Sequence, residues 1–527
     1  MNRKHVIVVG GGVGGLSAAI RLAARGGVGV TLVEKNPRVG GKLNLWEAPH
    51  PHRPPGERSF RFDTGPSLLT LPFVLADLFA AAGEDVRKWL PILKLDPIAS
   101  FRWVDGTRFD LRDGSTDLEA ELARVAPGDV AGWKRFAERG RQIWDLSAEL
   151  FLFHAPEQVL SGKAPGGEDR KPWSGLALLT TPFRIGMFSR YSRLVDKHLQ
   201  NQKLREVLYQ YATYSGASPF KAPATLAVIP HAETYFGGWY PQGGMYQIAD
   251  ALRRLAEQSQ VTMRTGVSVE RILCERDGAG RKARRRAIGV RLSGGEVLRA
   301  DAVVVNADVV YAYRHLIDPA DRPHWPEPKL DRLEPGGSGM VLLLGVEGTC
   351  PQLAHHTKFM PADYASDLRA MFDTRTIPAD PCIYVCASTR TDPSQAPEGC
   401  ENLFVLTSAP PLDGRIDWAV EGPRYEQQVI DTLEHRWGLT DLARRIVVRR
   451  RFTPVEFRSV YNANAGSIYG IGSNSRRTAF LRPPNRDRKI AGLYFAGGAT
   501  HPGGGLPLVT LSGKIAAELV AEDLGLA

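Results

Sequence analysis

The stretch that decides the fold is VIVVGGGVGG at residues 6–15. Its first four residues are β-branched and apolar, as in a parallel strand that is covered on both faces. The glycines that follow match the G-x-G-x-x-G pattern and open an apolar helix, after which a second strand is predicted over residues 30–33. That strand ends on Glu34. Strand, glycines, helix, strand and acidic residue in this order predict a βαβ unit that binds a dinucleotide.

Each part of this unit has a predicted role. Gly10 allows the tight turn, Gly12 lets the backbone approach a pyrophosphate, and Gly15 lets the helix pack against the strand. The N-terminus of the helix places partial positive charge beside the phosphates. Glu34 is expected to bind ribose hydroxyls. The residues of this unit predicted to bind the cofactor are Gly10, Gly12, Val13, Gly14, Gly15, Glu34 and Lys35.

A second backbone contact is predicted at RVGGK, residues 38–42, directly after the βαβ unit. This R-x-G-G arrangement resembles the second cofactor contact of flavoproteins such as amine oxidases and carotenoid desaturases, which favours FAD over NAD. Arg38, Gly40, Gly41 and Lys42 are therefore predicted to bind FAD. No second G-x-G-x-x-G follows a predicted strand, so we expect electrons to leave to an acceptor other than a bound NADPH.

The stretch GGATHPGGGLPLVTLSG at residues 497–513 is either an elaborate turn or a loop that lies against a large ligand. Pairing it with the N-terminal unit favours the ligand, because that unit would hold adenosine and pyrophosphate while this loop closes on the flavin. Pro507 is expected to start a helix whose dipole faces the flavin. The further residues predicted to bind FAD are Asp63, Gly65, Pro66, Val269, Gly497, Gly498, Thr500, Gly505, Leu506 and Pro507.

Composition places the chain among ordinary globular proteins. It has 527 residues, of which 43% are hydrophobic and 24% charged, and its net charge is +10. The five cysteines are scattered without metal-ligand spacing, which favours reduced thiols in the cytoplasm. Basic clusters at 281–286 and 449–451 lack zinc-finger spacing or an RNP-type run, so we expect no nucleic-acid partner. The first cluster is expected in a solvated hairpin turn.

The order of predicted elements indicates an α/β fold with two domains. A Rossmann-like FAD-binding domain of the amine oxidase/carotenoid desaturase type is predicted from residues 1–75, 235–312 and 485–527, because strand, glycine loop and helix recur only near the end of the chain. Residues 76–234 and 313–484 are predicted to form a mixed α+β substrate-binding domain. No run approaches the roughly 18 apolar residues that a membrane span needs.

One segment has the composition of an interfacial membrane anchor. Residues 173–191 mix Trp, Phe and Leu with Arg, within a helical region at 145–200. A buried helix pair or a dimer contact explains the same pattern equally well.

With these motifs located, the chain resembles the bacterial-type phytoene desaturase family, the FAD-dependent carotenoid desaturases, over nearly its whole length. The resemblance rests on the glycine unit and on motifs at 62–67, 239–245, 306–308, 355–356, 392–399 and 492–503. The tail with Pro507 and residues 511–513 is closer to members that act late, on coloured or hydroxylated carotenes.

The resemblance implies an activity. We expect FAD-dependent desaturation of a membrane-dissolved carotenoid, in which a hydride passes to the flavin and a proton is lost. The expected electron acceptor is oxygen or a quinone. The expected location is the cytoplasm, peripherally associated with the cytoplasmic membrane.

Few residues are candidates for acid–base chemistry. His501 is the candidate catalytic base, although a histidine in a Gly-Pro loop also serves to hold backbone by hydrogen bonds. No metal site is predicted, and His355 and His356 are interpreted as a packing or substrate-access pair because no third ligand lies nearby in the sequence.

Three alternatives remain from the sequence. A carotenoid cis-trans isomerase and an oxygenase that acts on terminal methyl groups resemble the same family. A Rab GDP-dissociation inhibitor, which binds a prenyl lipid without flavin, resembles the same fold, but Glu34, residues 38–42 and residues 500–505 of this chain speak against that alternative.

Overall fold

A computed structural model describes residues 3–114, 116–160, 176–277, 284–475, 479 and 482–526 of the chain. The described strands are β1 Lys4–Val9, β2 Val28–Glu34, β3 Leu45–Ala48, β4 Phe60–Asp63, β5 Ile92–Lys94, β6 Ala99–Arg102, β7 Arg108–Leu111, β8 Trp239–Pro241, β9 Thr262–Thr265, β10 Val269–Asp277, β11 Arg284–Leu292, β12 Val297–Arg299, β13 Ala302–Val305, β14 Ser338–Glu347, β15 His356–Phe359, β16 Ile383–Cys386, β17 Cys400–Ala409, β18 Ile446–Phe452, β19 Ile490–Ala491 and β20 Leu493–Phe495.

The described α-helices follow the same chain order. They are α1 Val13–Ala24, α2 Phe73–Ala81, α3 Thr116–Val125, α4 Val130–Leu152, α5 Pro156–Leu160, α6 Leu176–Arg184, α7 Tyr191–His198, α8 Gln202–Tyr209, α9 Val228–Phe236, α10 Tyr246–Gln258, α11 Val309–Tyr311, α12 Glu327–Leu330, α13 Tyr364–Arg369, α14 Trp418–Asp431, α15 Leu442–Arg445, α16 Pro454–Tyr461 and α17 Leu506–Leu524.

A parallel sheet joins the two ends of the chain. Its strand order is β20-β13-β1-β2-β9, so the N-terminal βαβ unit lies at its centre and the last strand at one edge. In β1 the residues Val6, Ile7 and Val8 are fully buried, as their unbroken apolar run predicts. The carboxyl ends of β1, β13 and β20 therefore meet at one edge of the sheet.

Helices α1, α10 and α17 contribute to one core with this sheet. Helix α17 lies so close to α1 that a Cβ added at Gly513 would be 2.3 Å from the carbonyl oxygen of Gly14. The Ser17 hydroxyl also donates to the carbonyl oxygen of Thr510 at 2.8 Å, although the two residues are 493 positions apart. These contacts fix the C-terminal helix beside the glycine loop.

A second large sheet has the strand order β18-β14-β17-β16-β15-β6-β7. Its neighbouring strands are antiparallel, apart from the parallel pair β15 and β6. Apolar side chains of this sheet pack in three separate cores. One contains α14 and α15, the second contains β4 and α16, and the third joins β6 and β7 to α3, α4, α7 and α8.

Smaller elements complete the fold. Strands β10, β11 and β12 form an antiparallel meander to which β19 is added, and the pairs β3–β4 and β5–β8 stand apart. Of the basic cluster, residues 281–283 lie outside the described residues, whereas Arg285 lies in β11, 7% exposed, rather than in a solvated turn. Within the described ranges, no helix combines the length and the apolar character that crossing a bilayer requires.

The approach of α17 to α1 predicts a stability difference between two Gly→Ala variants. Gly513→Ala should lower the free energy of unfolding by about 1–3 kcal/mol, because the new methyl group strikes backbone. Gly128→Ala, where a Cβ would meet no atom within 4 Å, should change it by no more than about 0.5 kcal/mol. Urea unfolding of both variants measures this, and equal effects would contradict the packing described here.

Candidate cofactor and substrate site

The glycine loop between β1 and α1 packs on the side chain of Asn306. The Asn306 amide donates to the carbonyl oxygen of Gly10 at 3.1 Å. A Cβ at Gly12 would lie 2.9 Å from Asn306 Nδ2, and one at Gly14 would lie 2.7 Å from Asn306 Oδ1. Gly10 has φ +99°, a conformation that other residues rarely adopt. Asn306 therefore leaves no room for side chains at these glycines, and Gly10, Gly12, Val13 and Gly14 line a large cavity.

Glu34 lies at the end of β2 with its carboxylate oriented by backbone. It accepts from the Gly11 N–H at 2.7 Å and from the Asn36 N–H at 2.8 Å, and it is 5% exposed. Glu34 and Lys35 both line the cavity. An acceptor fixed at this point suits ribose hydroxyls.

The predicted second contact lies against the first. The Gly40 N–H donates to the carbonyl oxygen of Gly11 at 2.8 Å, and Gly40, Gly41 and Lys42 line the cavity. Lys42 donates to the carbonyl oxygen of Ser467 at 3.0 Å, and burial lowers its pKa to about 8. Arg38 is exposed and lies outside the cavity lining.

The glycine loop, Glu34 and residues 40–42 form one side of a cradle for the cofactor, and the C-terminal loop at residues 497–505 completes it and leads into α17. Gly497, Gly498, Gly505, Leu506 and Pro507 all line the cavity. By contrast, Thr500 lies outside the lining, and its hydroxyl donates to the carbonyl oxygen of Pro483.

Two buried side chains hold this loop in place. The Asn485 amide donates to the carbonyl oxygen of His501 at 2.9 Å, and the Ser512 hydroxyl donates to the same oxygen at 2.7 Å. The loop is therefore supported by the protein itself before any ligand binds.

His501 has a backbone-holding contact in this loop. Its Nε2 lies 3.0 Å from the carbonyl oxygen of His154, to which it donates. Burial lowers the pKa of His501 to about 4, although this hydrogen bond acts in the opposite direction. The ring lines the cavity but is a weak base there. Its catalytic role stays a prediction.

Asp63 positions a turn rather than lining the cavity. It accepts from the backbone N–H groups of Met245 at 2.8 Å and Tyr246 at 2.9 Å, and burial raises its pKa to about 6. Gly65 and Pro66, two and three residues later, do line the cavity, as does Val269. Gly15 lies outside the lining. A Cβ there would lie 2.1 Å from the carbonyl oxygen of Gly10, so Gly15 allows the helix to pack closely against the loop.

Sequence reasoning missed Arg482, which lines the cavity beside the C-terminal loop. Its guanidinium donates to the carbonyl oxygen of Gly498 at 3.3 Å and to the Ser473 hydroxyl at 2.9 Å. Burial lowers its pKa to about 10, and no carboxylate among the described residues pairs with it. A half-buried guanidinium that lines a cavity without an anionic partner suits an anionic or strongly accepting ligand group. No local sequence pattern could have singled it out.

The cavity has a volume of about 850 Å³ and extends from the cradle to the second large sheet. Its remaining walls are mainly apolar and come from α4, the segment before α9, α9 and the sheet, including Trp144, Phe151, Leu226, Ile229, Phe404 and Leu406. The cradle residues fit FAD, because an oriented acidic acceptor, a glycine loop without side chains, a helix N-terminus and a half-buried cation line one cavity. The apolar part remains for a hydrophobic substrate.

Lys358 and Glu233 are buried polar groups that also line the cavity. A histidine cluster lies at the start of β15, the strand that carries Lys358, where one ring nitrogen each of His355 and His356 and the Sγ of Cys386 lie within 4.8 Å of one another. The expectation that no third ligand is near the pair is therefore wrong, because strand pairing places Cys386 directly opposite His356. The absence of a metal site stays a prediction.

Removing the cation at the cradle should weaken FAD binding. We expect Arg482→Met to raise the FAD dissociation constant by about tenfold or more, since hydrogen bonds from a charged group contribute about 1.5–3 kcal/mol. Arg444→Met, at an exposed guanidinium far from the cavity lining, is the control. Flavin absorbance after dialysis measures occupancy, and equal FAD retention by both variants would contradict this role.

Comparisons with known proteins agree with this site. A family model described as flavin containing amine oxidoreductase matches residues 13–521. The chain is 35% identical over 525 residues to a 4,4'-diapolycopene oxygenase of Methylomonas sp, with 99% of each chain covered. It is 31% identical over 533 residues to a 4,4'-diaponeurosporene oxygenase of Staphylococcus aureus (strain Mu50 / ATCC 700699), with 98% of each covered.

Solved structures show the same fold at low identity. Cyclohexylamine oxidase from Brevibacterium oxydans IH-35A matches with a TM-score of 0.60 and 15% identity, over 99% of this chain and 100% of that one. An oxidoreductase from Methanosarcina mazei matches with a TM-score of 0.58 and 15% identity, over 98% of this chain and 100% of that one.

The predicted fold class, the enzyme class and the FAD cofactor are thereby confirmed. The chain belongs to the flavin-containing amine oxidoreductase family, as an FAD-dependent oxidoreductase of the carotenoid desaturase type.

Proposed function

We propose that this protein uses FAD to oxidise the terminal methyl group of a linear carotenoid. The observation that carries this proposal is the apolar cavity that continues directly from the FAD cradle. Full-length similarity to proteins named 4,4'-diapolycopene oxygenase and 4,4'-diaponeurosporene oxygenase favours oxygenation over desaturation. Desaturation, the activity expected from the sequence, remains the second candidate because it needs the same cavity and cofactor.

FAD, when bound, supplies a two-electron acceptor for a hydride from carbon. The residues of this chain contribute an apolar site that orients the polyene and keeps out bulk water. An allylic carbon next to a conjugated polyene spreads positive charge along the chain, so no strong base is required. The low pKa of His501 fits this demand. Loss of hydride leaves an allylic cation, and one water molecule then adds to the terminal carbon and releases a proton, which gives the alcohol. The two electrons pass to oxygen or a quinone.

We also propose that the substrate comes from a membrane surface. Phe183 on α6 is 69% exposed and Phe188 is 45% exposed, and their ring centroids are 4.7 Å apart. The segment between them is attached to the cavity wall, because the Thr225 hydroxyl donates to the carbonyl oxygen of Ile185 and Thr225 lines the cavity. Exposed arginines at 184 and 190 suit an anionic lipid surface. Residues 161–175 of the predicted membrane region lie outside the described residues.

Product masses test the reaction. The purified FAD-loaded protein, given a linear carotenoid with terminal methyl groups in lipid vesicles, should yield products that have gained oxygen at one end. A Gly12→Val variant, whose side chain would strike Asn306, is the control with impaired FAD binding. Products that have only lost two hydrogens would support desaturation, and an unchanged mass with an altered spectrum would indicate isomerisation.

Lipid binding tests the membrane surface. The double variant Phe183→Ser/Phe188→Ser should bind anionic vesicles at least about tenfold more weakly, because burying each phenyl ring contributes about 1.5–3 kcal/mol. Val420→Ser, at a site 47% exposed on α14, should bind as the unaltered protein does. Vesicle cosedimentation measures both variants, and undiminished binding of the double variant would rule out this surface.

A further inference from the structure

We propose that Lys358 and Glu233 form a polar subsite that binds an oxygen atom on the terminal carbon of a linear polyene. The ligand class is a carotenoid whose end is already a primary alcohol or an aldehyde. This inference rests on the proposed function and names the substrate form that the cavity selects.

Lys358 lies on β15, with its side chain at the cavity wall and 9% exposed. Its ammonium group donates to the side-chain oxygen of Gln210 and lies 5.2 Å from the ring centroid of Tyr214 and 5.7 Å from that of Tyr384. No carboxylate among the described residues forms a salt bridge with it. An ammonium group has three donors, so donor capacity remains for a ligand.

Glu233 on α9 faces the same part of the cavity and is 2% exposed. Its Oε1 accepts from the Tyr211 hydroxyl at 2.7 Å, whereas its Oε2 has no hydrogen-bond partner within 3.5 Å. Burial raises the pKa of Glu233 and lowers that of Lys358, while the attraction between the two groups opposes both shifts. A longer contact with the Tyr214 hydroxyl also favours the charged carboxylate and lowers the pKa of Glu233. The cavity therefore presents a donor and an unused acceptor close to each other.

These groups lie near the flavin side of the cavity. The Tyr384 hydroxyl is 2.6 Å from the Ser67 hydroxyl, and Ser67 directly follows the cradle residues Gly65 and Pro66. One aromatic ring thus separates Lys358 from the cradle. An end group bound here would lie at the reacting end of the polyene rather than at its far end.

The chemistry of the two groups selects the ligand. A hydrocarbon end would remove water from the Glu233 acceptor and the Lys358 donors without replacing its hydrogen bonds, which makes the free energy of binding less favourable. A terminal hydroxyl donates to Glu233 Oε2 and accepts from Lys358, so it satisfies both. A site that hydrogen-bonds a substrate oxygen discriminates strongly against an analogue that lacks this oxygen. An apolar pocket discriminates less between ligands that differ only in size.

A matched substrate pair tests the subsite. Two linear polyenes of equal conjugation, one with a terminal methyl group and one with a terminal primary alcohol, are titrated into the FAD-loaded protein in the same vesicles. The unaltered protein should bind the alcohol about tenfold more tightly or better. Lys358→Met and Glu233→Gln should bring this ratio towards one. Tyr209→Phe, which removes a hydroxyl outside the cavity lining, should leave the ratio unchanged.

The possible outcomes separate the subsite from the proposed function. Equal affinity of the unaltered protein for both polyenes, or variants that weaken both equally, would overturn the subsite. Preference for the alcohol without oxidation of the methyl polyene would overturn the proposed function and retain the subsite. If Lys358→Met loses FAD or melts at a lower temperature, Glu233→Gln decides, because it preserves the shape of the buried side chain.

Discussion

The packing of glycines around Asn306 is the constraint on which the site depends. Asn306 atoms lie within 3.0 Å of the positions that a Cβ would take at Gly10, Gly12, Gly14, Gly15 and Gly497. One side chain at the end of β13 thus joins the N-terminal loop, the middle of the chain and the C-terminal loop. Any side chain at these glycines would displace Asn306. Internal packing therefore requires glycine at these positions, in addition to any requirement from a bound ligand.

Buried polar groups in the cavity are explained by ligands rather than by folding. Lys358 and Glu233 are taken out of water, and Glu233 Oε2 has no hydrogen-bond partner. Such burial destabilises the folded protein. Arg482, which lines the same cavity, forms no salt bridge with a carboxylate among the described residues. A cofactor at Arg482 and an oxygen-bearing substrate at Lys358 and Glu233 would supply the missing partners, so these groups point to two different ligands in one cavity.

The sequence predicts those parts of the site whose residues lie close together along the chain. The glycine unit and the C-terminal loop have fixed spacings, because one turn or one helix start dictates them locally. Lys358 and Gln210 meet although 148 positions separate them, and Cys386 comes opposite His356 only through strand pairing. Their neighbours carry no periodic signal, so the substrate wall could not be predicted. Thr500 illustrates the converse, since a loop residue of suitable type turns to Pro483 instead.

The position of Lys358 and Glu233 helps to distinguish terminal oxidation from desaturation as the reaction of this protein. Desaturation and terminal oxidation begin with the loss of hydride from an allylic carbon, so the cradle and the weakly basic His501 serve either one equally. What differs is the carbon that lies beside the flavin. A polar pair near Ser67 favours an end group at that point, because an internal, purely hydrocarbon segment would leave the pair unsatisfied. The outcome is therefore set by the substrate wall and not by the cofactor site.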